Sequence, residues 1–385
     1  MLDSQKCILD LISYTLNGNL IPDSYKLNVP LEQVFKIAAE QDICLILFTT
    51  VSNLAVNTEA DSSYKKTWKN AVLFSCMSQL GISNDLIKLH ESLTKEKIRA
   101  VFLKGIVLKL LYPQPELRSM RDIDILVEPK SMQSAINILK EMGYAAKDDK
   151  EDEDGGLHLF FTKDMALPVE LHYSLIHKKF MGKLNVNPWY EHIWDNLRTV
   201  HFDSTDFTVL SHDDEFINLI IHFATHMVYS GSNLKQLYDI LIFLEFHKKN
   251  MNYDYIFSTL KMLGLFRFSR IMLSACRDIL GFDSPIALEN QKTELSKAFF
   301  EDIFNIKLIN EKTSNHECWK DFMLRYTFMR NHPYLSLVSW ILETGFQIIH
   351  FKKDIIKSVL WSNNTLRFVK KRFKLLKSLG ITHNT

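Results

Sequence analysis

The sequence predicts an α+β protein: a small α/β core with a mixed sheet, flanked by N-terminal helices and followed by a C-terminal all-α domain. Three observations lead there. Between residues 99 and 180 the apolar pattern shortens into strand-length runs, whereas on both sides of that stretch apolar residues recur three and four apart. Only 12 Gly and 9 Pro interrupt 385 residues, which leaves room for long helices. A chain of this length also exceeds what one hydrophobic core usually serves, so three regions are expected: 1–98, 99–180 and 181–385.

The elements follow in chain order. The spacing predicts N-terminal helices over Cys7 to Leu16, over Leu31 to Thr50 behind Pro30, and over Tyr64 to Lys97. Ala100 to Leu103, Asp122 to Val127, Leu157 to Thr162 and Leu167 to His172 read as strands. Pro129 and Ser131, then Met132, Ile136 and Leu139 at helical spacing, ending before Gly143, mark a helix between two of them. Asp148 to Asp154, six acids and one Lys ahead of Gly155 and Gly156, reads as a solvated loop. From Pro188 onward only helices are expected, at Glu215 to Met227, Leu234 to Phe246, Tyr255 to Leu263 and Phe266 to Leu280. Tyr334 to Phe351 is the most apolar late stretch, but Glu343, Thr344, Gln347 and His350 interrupt it, so a buried helix is expected there rather than a membrane span.

A net charge of +1 provides no global field to attract nucleic acid. The five cysteines, Cys7, Cys44, Cys76, Cys276 and Cys318, are odd in number and lack paired spacing, so neither a disulfide framework nor a structural zinc site is expected. With no export signal read at the N-terminus, a reducing cytoplasm is the expected setting. The run Lys352 to Lys377 carries nine basic residues against one acid, with Leu366, Val369, Phe373 and Leu376 on one helical stripe. Such a helix either packs on its own net-acidic body or rests as a peripheral element on an anionic membrane or a partner.

The chemistry concentrates in Arg121-Asp122-Ile123-Asp124-Ile125-Leu126-Val127. Period-two alternation sends Ile123, Ile125 and Val127 to one face and both carboxylates to the other. Like charges resist that crowding, and a hard divalent cation, Mg2+ or Mn2+, is their natural partner. Glu170, in Pro168-Val169-Glu170-Leu171-His172, is the expected third acid; an adjacent antiparallel strand would bring it beside the aspartates, with His172 on the same face. Upstream, Val101-Phe102-Leu103-Lys104-Gly105 reads as a strand ending in a Gly turn before a short helix, where Lys104 and Gly105 would cradle phosphate. Arg118 and Arg121 bracket the loop before the aspartates, placed to neutralise phosphate or orient a substrate. His222 and His226 lie four apart on one helix face but lack the Glu of a H-E-x-x-H motif, so they are expected as core or substrate-facing residues bonded to Asp239.

Strand, Gly turn and helix, then two aspartates on one face, then a later strand acid: this order resembles the nucleotidyltransferase superfamily that includes DNA polymerase β and kanamycin nucleotidyltransferase. More closely, Phe102-Leu103-Lys104-Gly105, Leu110-Leu111-Tyr112-Pro113, Leu117 to Val127 and Val169-Glu170-Leu171-His172 resemble an uncharacterised bacterial nucleotidyltransferase family. A fainter likeness continues in Ile221 to His226 and in Leu237-Tyr238-Asp239-Ile240. The resemblance implies metal-dependent transfer of a nucleoside monophosphate from a nucleoside triphosphate, with Asp122, Asp124 and Glu170 as metal ligands and catalytic carboxylates. Such families are often associated with peptide natural-product or polysaccharide gene clusters, which leaves the acceptor open between a small molecule, a sugar and a peptide. Lys104-Gly105 stands where the superfamily usually has Gly-Ser or Gly-Gly, which leaves the donor open too. A nucleotide-binding or partner-binding protein on a degenerate core is the alternative.

Overall fold

The structure, a computed structural model, describes residues 1–18, 21–22, 24–54, 58–79, 82–147, 157–176, 187–229, 231–287, 293–305 and 374–381. The acidic loop at 148–154, the apolar stretch at 334–351 and all of the basic run except 374–377 lie outside them.

Five helices open the chain: α1 (Asp3–Leu16), α2 (Leu31–Glu40), α3 (Phe48–Ser52), α4 (Glu59–Ser78) and α5 (Ile82–Lys95). The helix expected from Leu31 to Thr50 breaks after Glu40, where Asp42 takes a φ of 59°. A left-handed residue cannot continue a right-handed helix. The long helix expected from Tyr64 to Lys97 is two helices, α4 and α5, on either side of residues 80–81.

The sheet follows: β1 (Ala100–Phe102), α6 (Gly105–Lys109), β2 (Ile123–Val127), α7 (Met132–Glu141), β3 (Ala145–Ala146), β4 (His158–Thr162) and β5 (Val169–His172). Its strand order is β1-β2-β5-β4-β3, with β2 and β5 parallel and the other pairs antiparallel. The expectation that Glu170 would reach the aspartates on an antiparallel strand is therefore corrected. Residues 128–168 carry α7, β3 and β4, and this crossover returns the chain to the far side of β2 running in the same direction.

After α8 (Asn187–Asp195) comes a hairpin that the sequence reading did not anticipate, β6 (Arg198–Phe202) and β7 (Thr205–Val209). Its two-residue turn, Asp203-Ser204, starts with Asp203 at φ 52°, the positive value that tight hairpin turns need. β6 buries none of its five residues, so it shows no apolar face to read, while Phe207 and Val209 of β7 are fully buried. Phe207 meets Phe102 of β1 edge-on with ring centroids 5.0 Å apart. The chain continues in α9 (His212–Tyr229), α10 (Leu234–His247), α11 (Tyr253–Met262), α12 (Phe266–Leu280) and α13 (Thr293–Phe304).

Two compact units result. One comprises 1–178, 186–221 and 234–259 and contains both sheets; the other comprises 179–185, 222–233 and 260–385. The second has its own aromatic core, in which Phe223 lies 6.3 Å from Phe268 and 6.2 Å from Phe299 between ring centroids. Among the described residues no helix is long and apolar enough to cross a membrane.

Candidate active site

The site is built on one face of β2, β5 and β4. β2 lies between two neighbours and all five of its residues are buried, so its carboxylates do not guard an exposed edge. Asp124 pairs in register with Glu170 of β5, and His172 of β5 pairs with His158 of β4. Side chains on one face repeat every second residue, which puts Asp124, Glu170, His172 and His158 on the same side.

A chain of alternating basic and acidic groups crosses this face. Lys104 Nζ lies 2.9 Å from Asp124 Oδ1, and the same oxygen lies 3.0 Å from His172 Nε2. His172 Nε2 is 3.4 Å from Glu170 Oε2, and His158 Nδ1 is 3.6 Å from that oxygen. Asp122 stands at the entry to β2, half-buried. Burial first, then the carboxylates of Asp124 and Glu170, push its acid up to about 6, against the opposing pull of Lys104 and Lys235. Burial alone would lower Lys104, but Asp124, Glu170 and Asp122 hold its ammonium above the ordinary lysine range. Burial likewise disfavours the charged form of His172, and hydrogen bonds to Asp124 and Glu170 reverse this. At His158 burial wins and the ring titrates below its usual value.

Lys104 and Gly105 occupy the predicted turn between β1 and α6, in a specific backbone arrangement. Lys104 adopts φ 45° and ψ −81°, a conformation that costs a side-chain-bearing residue about 1–3 kcal/mol. Its N–H donates to Glu215 Oε1 at 3.2 Å, which anchors the turn. Glu215 is fully buried at the start of α9, and burial pushes its acid up to about 7 despite the neighbouring Arg198 and Lys104. Gly105 backs onto Met120: a Cβ there would lie 2.7 Å from Met120 Cε.

The two arginines have different surroundings. Arg118 is buried, donating from Nε and Nη2 to both carboxylate oxygens of Asp239 at 2.8 and 3.0 Å and from Nη1 to the Gly105 carbonyl at 3.0 Å. Tyr112 adds a fourth bond, 2.7 Å to Asp239 Oδ1. Burial favours the neutral acid at Asp239, yet Arg118 holds it below the ordinary aspartate range. Asp239 is thus taken up by Arg118 and Tyr112. Arg121 is exposed and pairs with Asp42 at 2.7 Å, with Lys235 of α10 3.7 Å from the other oxygen of Asp42. His222 and His226 do sit together, ring centroids 4.4 Å apart.

A family model described as uncharacterised nucleotidyltransferase matches residues 28–281, about two thirds of the chain. The chain belongs to that family. The match to this nucleotidyltransferase family takes in Lys104, Gly105, Arg118, Arg121, Asp122, Asp124 and Glu170, together with the helices that supply Glu215, Lys235 and Asp239. No curated protein matches the sequence. Among solved structures, an antigenic nucleotidyltransferase-like protein from Paracoccidioides brasiliensis is similar at 13% identity and a TM-score of 0.31, over 51% of this chain and 90% of that one.

Three residues beside these carboxylates went unread in the sequence, His158, Glu215 and Lys235, as did Asp42, which pairs with Arg121 and Lys235. For His158 a signal existed. Phe161 pairs with Val169 across a connection closed by Pro168, and counting back from it sets His158 opposite His172. Glu215 and Lys235 arrive from helices more than 100 residues beyond Lys104, and nothing in their local pattern marks them.

Proposed function

We propose that this nucleotidyltransferase-family protein transfers a nucleoside monophosphate from a nucleoside triphosphate to an acceptor hydroxyl, phosphate or peptide side chain, in a Mg2+- or Mn2+-dependent reaction that releases pyrophosphate. One observation carries the reading: Asp124 and Glu170 stand in register on neighbouring strands with Asp122 beside them, where burial and then these two carboxylates push Asp122 up to about 6. Three carboxylates crowd this face against the ammoniums of Lys104 and Lys235, and an oxygen-seeking dication suits the negative charge that remains.

Bound there, the ion would supply Lewis-acid stabilisation of the charge that develops on the transferred phosphoryl group. Asp122, Asp124 and Glu170 would hold it, and Glu170, the least buried of the pair facing each other across β2 and β5, would draw the proton from the acceptor. Lys104 neutralises Asp124 at rest and offers its ammonium to donor phosphate. Arg121 presents a solvent-facing guanidinium to the same end. Arg118 acts as a positioning residue, fixing the Gly105 carbonyl and so the turn that carries Lys104. The acceptor, the preferred base and the pathway, whether peptide or polysaccharide modification, belong to this proposal, as does a cytoplasmic location.

A second reading rests on the 2.9 Å contact of Lys104 with Asp124: an ammonium already on the aspartate suits a core that binds nucleotide or a partner without turnover. Thermal-shift measurements with each nucleoside triphosphate, with and without Mg2+, on the wild type, Asp122→Asn and Asp124→Asn test both. The expected result is Mg2+-dependent stabilisation by nucleotide in the wild type alone. Equal Mg2+-dependent shifts in all three proteins would remove the aspartates as ligands. Nucleotide stabilisation that ignores Mg2+ would favour the binding protein.

A further inference from the structure

We infer that His158, Glu170 and His172 form a second metal site, one that takes a borderline transition-metal dication such as Zn2+ in preference to Mg2+. The inference deepens the metal-dependent reading and rests on it only for Glu170 and Asp124, the residues common to both sites.

One ligand atom from each of the three residues can be chosen so that all lie within 4.8 Å of one another. The individual separations fit a single ion: His172 Nε2 to Glu170 Oε2 is 3.4 Å and His158 Nδ1 to Glu170 Oε2 is 3.6 Å. A tetrahedral zinc with bonds of about 2.0 to 2.2 Å holds its ligand atoms about 3.3 to 3.6 Å apart, so the spacing requires little rearrangement. His158 Nδ1 is also buried with no hydrogen-bond partner, although Glu170 lies just beyond hydrogen-bond reach. A buried nitrogen left without a partner is costly, and a metal bond would satisfy it. Asp124 Oδ1, 3.0 Å from His172 Nε2, stands next in line as a fourth ligand.

The donor set decides the class of ion. Mg2+ prefers oxygen and keeps its waters, whereas two imidazoles and a carboxylate suit Zn2+, Co2+ and their neighbours. The backbone favours permanence: three of the ligands lie on two adjacent strands whose pairing is fixed by the register His158↔His172 and Phe160↔Glu170. Glu170 has two oxygens, so engaging one with the histidines leaves the other for the site it shares with Asp124, its in-register partner across β2 and β5.

Tag-free full-length protein, stripped with chelator, is titrated with CoCl2 without nucleotide and followed by visible absorption, then back-titrated with ZnCl2. Expected for the wild type is one Co2+ with the ligand-field bands of nitrogen coordination, displaced by Zn2+ and insensitive to millimolar Mg2+. His158→Ala should weaken Co2+ binding more than about 100-fold, beyond what loss of a supporting outer partner costs. Because His172 is buried, the partly exposed His158 is the main variant, with circular dichroism confirming its fold. Asp122→Asn should keep the Co2+ bands while losing Mg2+-dependent nucleotide stabilisation. Absent Co2+ bands in the wild type, or bands equally strong in His158→Ala, would overturn the site and leave the Mg2+-nucleotide result standing. Co2+ bands with no Mg2+-nucleotide effect would remove the transferase reading instead.

Discussion

Neutralising Asp122 should stabilise the metal-free protein, and by an amount that depends on pH. The folded protein pushes this acid from 3.8 to about 6. At 1.36 kcal/mol per pH unit, ionising it there costs about 3 kcal/mol more than in the unfolded chain. The sign follows from which state binds the proton: the folded state holds it more tightly, so the cost is absent below about pH 4, grows as pH rises, and is complete above about pH 6. Asp122→Asn removes that cost. That cost is already net of the pull of Lys104, and discounted for solvent screening at a half-buried carboxyl it leaves an expected gain of about 1–2 kcal/mol. For a unit of this size that is a rise in Tm of about 3–6 °C. The assay is a melting series in EDTA, wild type against Asp122→Asn, from pH 4 to pH 8. The gap should be full at pH 7.5, about half at pH 5 and nearly closed at pH 4. A variant that melts below wild type at pH 7.5, or a gap that does not change with pH, would refute the crowding on which the metal reading depends.

Asp239→Asn leaves Arg118 buried and charged without its carboxylate, at an expected cost of about 3–5 kcal/mol in urea unfolding; a loss below about 1 kcal/mol would show the pair to be incidental. Gly105→Ala should cost less than about 1 kcal/mol in urea unfolding, because the new methyl meets the far end of the flexible Met120 side chain, which can swing aside; a loss above about 3 kcal/mol would show Met120 to be locked in place. Lys104→Met should tighten Mg2+ binding measured by calorimetry without nucleotide, since the ammonium on Asp124 is gone, and should weaken affinity for nucleoside triphosphate; unchanged values for both would sink its role as resident counter-ion.

Much of this was legible because the relevant signals are local. The four long strands of the main sheet announced themselves as short apolar runs, and the alternation in Asp122 to Val127 fixed which side chains share a face. Strand direction was not legible. Whether β5 runs with or against β2 depends on how the chain crosses between them, and either direction brings Glu170 to Asp124. The β6–β7 hairpin escaped notice because its first strand is nowhere buried and its second pairs polar residues with only two buried apolar ones, Phe207 and Val209. The arginines show the same limit at the scale of single residues. Sequence position alone made Arg118 and Arg121 equivalent, and only the arrival of Asp239 from α10 turned one into a buried structural cation while the other stayed at the surface.

The bonds from Lys104 to Glu215 and from Arg118 to Asp239 span 111 and 121 residues. They bear on the order in which the protein is made. When the segment bearing the aspartates and Glu170 has left the ribosome, Arg118 still has no counter-ion and the strained turn at Lys104 has no carboxylate to hold it. The loop that carries the chemistry therefore cannot settle until α9 and α10 have been synthesised, and contacts of such sequence separation form late and slowly. A fragment ending near residue 180 would keep the whole of the stronger resemblance, from Phe102 to His172, and still lack the two acids that hold Arg118 and the Lys104 turn in place.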